Sequence, residues 1–209
     1  MMAGIEIGRA LRSSITGCVV GCRVSQLDAP EFGGMVSIPL DDGSKIFGLI
    51  TDIHIDDDGL VRQLVTAENI SSEVIEDNRL NRNVPVEISV LFIGFEREGL
   101  FSHLLPPRPP LSLLAIFPCG DQEIGLFTGS GRLGYLRHIL RAVDLPVAEI
   151  LAAHLRQAGA IQKKNGNGDW VEAATRELIT LLRDDYATLN TVLGSLADTH
   201  LYLQGGHND

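Results

Sequence analysis

The chain has 209 residues, 44% of them hydrophobic and 21% charged. That balance buries a real core and excludes global disorder, and the length suits one large domain or a small domain with an appendix. Seventeen basic against 27 acidic side chains give a net charge of −10, which repels phosphate backbones at long range and argues against autonomous nucleic-acid binding.

Aromatic residues make up only 5%, so Leu, Ile and Val must carry the core. The three cysteines, Cys18, Cys22 and Cys119, are too few and too scattered for a disulfide framework, and no second Cys/His pair follows at zinc-ribbon spacing. Cys18 and Cys22 fall on the same face of a strand, as buried free thiols in a reducing cytoplasm. Ile15-Thr16-Gly17-Cys18 matches a lipoprotein cleavage box, but Glu6, Arg9 and Arg12 interrupt the apolar run that a signal requires. No window supplies the ~18 apolar residues of a membrane span. The expectation is a soluble, cytoplasmic chain without an export signal.

In chain order, short apolar runs separated by turn chemistry predict strands. Ile15 to Val24 is rich in β-branched residues. Ala29-Pro30 and Gly33-Gly34 break the chain, and Met35 to Leu40 follows as a strand. Asp41-Asp42-Gly43 is a hairpin signal. Lys45 to Ile55 alternates, with Ile46, Gly48, Ile50, Asp52 and His54 on one side and Phe47, Leu49, Thr51, Ile53 and Ile55 on the other. Asp56-Asp57-Asp58-Gly59 reads as another tight turn, with Leu60 to Thr66 returning as its partner strand. Residues 67–83 form a polar excursion, a short helix or a loop. Val84 to Phe95 is a further strand. This spacing predicts a small closed antiparallel barrel or sandwich over residues 1–118.

Four prolines in residues 104–110 predict an extended, semi-rigid exit from the barrel, and Leu111 to Phe117 is a possible last strand. The period then becomes helical, predicting a segment over 119–203 of about three helices. Leu133, Leu136, Ile139, Leu140 and Val143 mark the first. Pro146 opens the second, with Gly159 as its C-cap. Asp169 with Glu172 starts the third in a capping box, running to Ala197 unless Gly194 ends it early. Residues 204–209 read as a frayed tail.

Charge is uneven. Residues 130–164 hold six basic and two acidic side chains. Their plain reading is a solvated helix face; the alternative is a surface facing an acidic partner. Arg108, Arg132, Arg137 and Arg141 are therefore candidate interface residues. So are Leu178, Leu182 and Leu189, from a leucine stripe that packs either on a partner or on the chain's own barrel.

Catalytic motifs fail on inspection. Gly129 to Gly134 matches G-x-G-x-x-G but lacks a following parallel strand. The same stretch has Arg132 and Leu133 where a phosphate-binding loop needs Lys and Ser/Thr. His54 to Gly59 resembles a calcium loop, yet position one is His54 and position twelve is Val65. His54, His138 and His154 are not spaced with a nucleophile. No catalytic residue, cofactor or metal ligand is assigned.

Ile7-Gly8-Arg9-Ala10, Gly33-Gly34-Met35-Val36-Ser37-Ile38 and Lys45-Ile46-Phe47-Gly48-Leu49-Ile50-Thr51-Asp52-Ile53 resemble the HAS-barrel, the small β-barrel that precedes the motor of HerA-type DNA translocases. Leu105-Pro106-Pro107-Arg108-Pro109-Pro110 resembles the proline-rich passage leading to that motor. The resemblance covers about residues 5–118; a PRC-type barrel is the alternative, on Gly48 and the strand after it. No motor sequence follows. The resemblance therefore implies a non-enzymatic assembly module, self-associating or docking on a protein such as a HerA-like ATPase or nuclease. The alternative is a barrel that senses a small ligand or nucleotide beneath a helical lid.

Overall fold

The computed structural model describes residues 5–23, 30–56, 59–67, 70–80 and 85–199. Among the described residues there are seven strands: β1 (Gly8–Ser13), β2 (Gly17–Cys22), β3 (Met35–Pro39), β4 (Lys45–His54), β5 (Val86–Arg97), β6 (Leu100–Ser102) and β7 (Ala115–Pro118). All pair antiparallel in the order β2-β1-β7-β3-β4-β5-β6, and a β2–β5 ladder closes the ring. The result is a six-stranded barrel, with β6 added outside the ring as a hairpin on β5. That hairpin turns through Glu98 and Gly99, both at positive φ (55° and 77°), the geometry that suits strand twist.

Strand alternation sorts side chains into two cores. Ile7, Val20, Ile38, Ile46, Ile88 and Phe92 fill the barrel interior together with Cys18 and Cys22. Met35, Phe47, Leu49 and Ile93 face outward into a second core with the helices. The predicted alternation of β4 holds through Ile50 and then reverses. Between Ile50 and Asp52 the register shifts against Val90 and Ser89, making Thr51 a bulge, so Ile53 turns inward and Asp52 outward.

Leu60 to Thr66 is not the strand expected. It forms helix α1 (Leu60–Thr66), and Ser72–Leu80 forms α2. Both edges of β4 are already taken, by β3 and β5, so no site remains for a returning strand. Within α1, Val61 and Leu64 are the half-buried positions, three apart, as a helix face requires. The expected Asp57-Asp58 turn, the Ala29 break and the 204–209 tail lie outside the described residues.

The proline-rich segment is not an exit. It runs from β6 back to β7, which pairs with both β1 and β3 and so completes the ring. Pro106 and Pro110 are buried, Leu105 and Leu114 pack on the interior core, and the Ser13 hydroxyl donates to the Pro110 carbonyl. The chain leaves the barrel after Pro118.

Among the described residues five helices follow where about three were expected: α3 (Asp121–Gly129), α4 (Leu136–Leu140), α5 (Val147–Lys164), α6 (Trp170–Leu181) and α7 (Tyr186–Asp198). Glu123 steadies the start of α3 by accepting from the Gly120 amide at 3.3 Å. Helix α5 runs past Gly159, which serves contact rather than capping: a Cβ there would sit 2.5 Å from Val171 Cγ2 of α6. The expected third helix is two. Asp185 accepts from the Thr188 amide at 3.1 Å and caps a fresh start, whereas Asp169 makes no side-chain cap bond and Glu172 pairs with Arg176 instead. Gln162 of α5 donates to the Gly125 carbonyl and to Thr128 Oγ1, each at 2.8 Å, and Trp170 Nε1 donates to the Thr128 carbonyl at 3.0 Å. This buried network ties α3, α5 and α6 together with its polar groups satisfied.

Four aromatic residues, Phe47, Phe101, Phe127 and Tyr135, meet where the barrel wall joins the helices. Phe47 of β4 lies 4.9 Å from Phe127 of α3 between ring centroids, and Phe127 lies 5.5 Å from Tyr135. Phe47→Ala is expected to cost about 3–5 kcal/mol by urea unfolding, the usual penalty for emptying a buried aromatic site. Val143→Ala, at a residue 79% exposed, should fall within about 0.5 kcal/mol of wild type.

Candidate functional site

Two surface features combine unusual backbone with residues that the folding core does not use. The first is a set of three exposed leucines on two segments whose backbones are hydrogen-bonded to each other. Leu11, Leu111 and Leu113 are 39%, 70% and 68% exposed. Leu11 is the extra residue of a bulge in β1, where the register against β2 shifts between Ala10 and Arg12. Leu113 sits at φ 70°, a left-handed conformation that costs an L-residue about 1–2 kcal/mol. The surroundings hold it there. Its amide donates to the Ala10 carbonyl at 2.8 Å, Arg9 Nη1 donates to its carbonyl at 3.2 Å, and Ser112 Oγ donates to the Leu11 carbonyl at 3.2 Å. The bulge and the strained residue together turn leucines toward solvent from two chain segments about a hundred residues apart in sequence.

The second feature is a cleft of about 380 Å³ between the end of β6 and the α3–α4 loop, lined by His103, Ser130, Gly131, Arg132 and Arg137 among others. His103 stacks against Phe127 and Tyr135, at 4.8 and 5.1 Å. Its Nε2 lies 3.1 Å from the Phe127 carbonyl and 3.3 Å from Ser130 Oγ. The carbonyl fixes Nε2 as the N–H, leaving Nδ1 on the Gly131 side. The His103 carbonyl receives Arg137 Nη2 and lies 2.9 Å from His138 Nε2. Burial, Arg137 and His138 push the His103 imidazole below its ordinary pKa; burial with Arg137 and Arg141 does the same to His138. The site is thus cationic and poor in counter-charge.

Of the sequence candidates, the structure brings Arg132 and Arg137 into this cleft, with Arg141 close enough to act on His138. Arg108 lies apart from its lining, exposed on the proline-rich segment. Leu178 and Leu182 are buried in the chain's own helical core and Leu189 packs half-buried against it, so this part of the stripe is spent on folding. The Gly129 to Gly134 run is a helix–helix connection: α3 precedes it, Gly131 and Leu133 take positive φ (60° and 56°), and α4 follows. His103 and the exposed leucines escaped sequence reading. A lone His before a proline run has no spacing signature, and a left-handed Leu has no sequence signal at all.

His54 meets the Asp56 carboxylate at 3.1 Å in an exposed position. His154 is fully buried with its Nε2 3.0 Å from the Tyr135 hydroxyl. Among the described residues no group of three or more His, Cys, Asp and Glu is placed to hold a metal ion, and no helix is long and apolar enough to cross a membrane.

Burial lowers the His154 pKa from 6.5 to about 4. The folded chain therefore holds this ring neutral while the unfolded chain takes up the proton first. Stability is intact above pH 6.5 and declines as pH falls toward 4. This ring alone should remove about 2 kcal/mol between pH 7.5 and 5. His154→Gln, which still offers Tyr135 a partner, should flatten most of that slope in urea titrations. An unchanged slope would contradict the assignment.

No protein-family model matches the sequence, and no curated protein matches it.

Proposed function

We propose that the chain is a non-enzymatic assembly module, acting in the cytoplasm, whose barrel wall binds another protein. The occupant is a second copy of the chain or a HerA-like DNA-translocating ATPase or nuclease, as the resemblance of residues 5–118 to the HAS-barrel implies. One observation carries the reading: Leu11, Leu111 and Leu113 are exposed together, two of them on irregular backbone that the surrounding hydrogen bonds maintain. Strain kept at a surface leucine is a cost to folding, and its counterpart is burial in an interface.

A filled interior supports a role at the surface over one within the barrel. Ile7, Val20, Ile38, Ile46, Ile88 and Phe92 occupy the space where a sensor barrel would hold its ligand.

Light scattering coupled to size exclusion tests this. The full chain should form a species heavier than its 22.6 kDa monomer, alone or when mixed with a HerA-like ATPase. Leu113→Gly relieves the left-handed strain, so it should unfold at or above the wild-type temperature yet assemble at least about fivefold more weakly. A chain that stays monomeric and ignores the ATPase would overturn the proposal, as would a Leu113→Gly variant that assembles like wild type.

A further inference from the structure

We infer that the cleft between β6 and the α3–α4 loop is a binding site for a phosphate-type oxyanion carried by a small phosphorylated molecule. This inference stands independently of the assembly proposal, since the cleft and the leucine cluster share no residue.

Charge pairing is the first argument. Elsewhere several cations have carboxylate partners: Arg9 with Glu6, Arg12 with Glu87, Lys45 with Glu123, Arg97 with Asp42 and Lys164 with Asp121, while the exposed Arg108, Arg141, Arg156 and Lys163 have none among the described residues. In a chain with ten more acids than bases, counter-charge is abundant. Yet among the described residues neither Arg132 nor Arg137 has a carboxylate partner, and no acidic side chain lines the cleft. Arg137 is half-buried, where an uncompensated charge is destabilising. Its only hydrogen bond among the described residues is to the His103 carbonyl, which leaves the rest of its donor fork unused.

Glycine placement is the second. A Cβ on Gly131 would sit 3.2 Å from His103 Nδ1, and a Cβ on Gly134 would sit 3.0 Å from Arg137 Nη1. Side chains at those positions would cover the nitrogens that face the cleft. The two glycines leave the His103 ring edge and the Arg137 guanidinium uncovered, and Gly131 is also at φ 60°. Arg132 adds an exposed side chain on the rim, while the Ser130 hydroxyl donates away from the cleft to the Phe127 carbonyl at 2.7 Å.

Two guanidinium groups suit a tetrahedral dianion, because an arginine can present two parallel donors to two of its oxygens. The volume of about 380 Å³ exceeds what bare phosphate fills and falls in the range of small-ligand sites. Phe101 and Leu104 supply apolar lining for the organic part.

The test is titration of the intact chain with inorganic phosphate at constant ionic strength, read by the ring nitrogen resonances of His103 and by thermal stability. Chloride and acetate are the comparison anions. Phosphate should shift the His103 Nδ1 signal saturably and raise the melting temperature, while the monoanions do neither. Arg132→Gln removes an exposed side chain without a partner among the described residues. It should melt like wild type in chloride and bind phosphate about fivefold or more weakly. Three results would each overturn the inference: phosphate acting no differently from chloride, acetate matching phosphate (the mark of a site for partner carboxylates), or Arg132→Gln retaining wild-type affinity.

Discussion

From Ile46 to Ile50 the β4–β5 ladder is buried on both faces, and most other features follow from that constraint. On its inner side Ile46, Ile50, Ile88, Val90 and Phe92 complete the barrel interior; on its outer side Phe47, Leu49 and Ile93 begin the helical core. A strand whose two faces both exclude water cannot slip by one residue without exchanging the two cores, so its register is strongly fixed. Glycine enters where the packing is tightest: a Cβ on Gly48 would lie 3.0 Å from the Leu91 carbonyl oxygen across the ladder. The helices are therefore not an appendage with a core of their own. Their buried face includes the barrel wall, and Phe47, Phe127 and Tyr135 meet at that seam.

The same seam positions both surface features. Phe127 packs against Phe47 on one side and His103 on the other, so the placement of α3 on the wall also sets the depth of the cationic cleft. The proline-rich segment leaves β6 just beyond His103, crosses to Pro110 and delivers Leu111 and Leu113 to the edge of β1 before entering β7. One connection thus begins beside the cleft and ends at the leucine cluster. Its fixed backbone dihedrals limit how far either end can move, and closure of the ring by β7 holds the far end in place.

Much of the barrel was legible from the chain because its signals are local. The hairpin at Asp41-Asp42-Gly43, the alternation of Ile46 to Ile50 and the shared face of Cys18 and Cys22 all follow from a two-residue period and turn chemistry. The errors arose where topology decides. Leu60 to Thr66 has strand-like composition but no vacant edge to join. The proline run reads as an exit, since nothing local tells that a four-residue strand beyond it completes the ring. Gly159 looks like a helix stop, and only the approach of Val171 explains it. For the sites, the basic run of residues 130–164 reads first as a solvated helix face, and two of its arginines line the cleft. Their partner His103 comes from the barrel side, and the leucine cluster depends on a bulge and a positive φ that composition does not encode.

Native-state hydrogen exchange measured residue by residue tests the shared wall most directly. If the ladder couples the two cores, amides of β4, β5 and α5 exchange slowest, and their opening free energies converge on the global unfolding value as one cooperative unit. If the α5 amides instead open at a distinctly lower free energy while β4 and β5 stay protected, the barrel and the helices are separate units and the account fails.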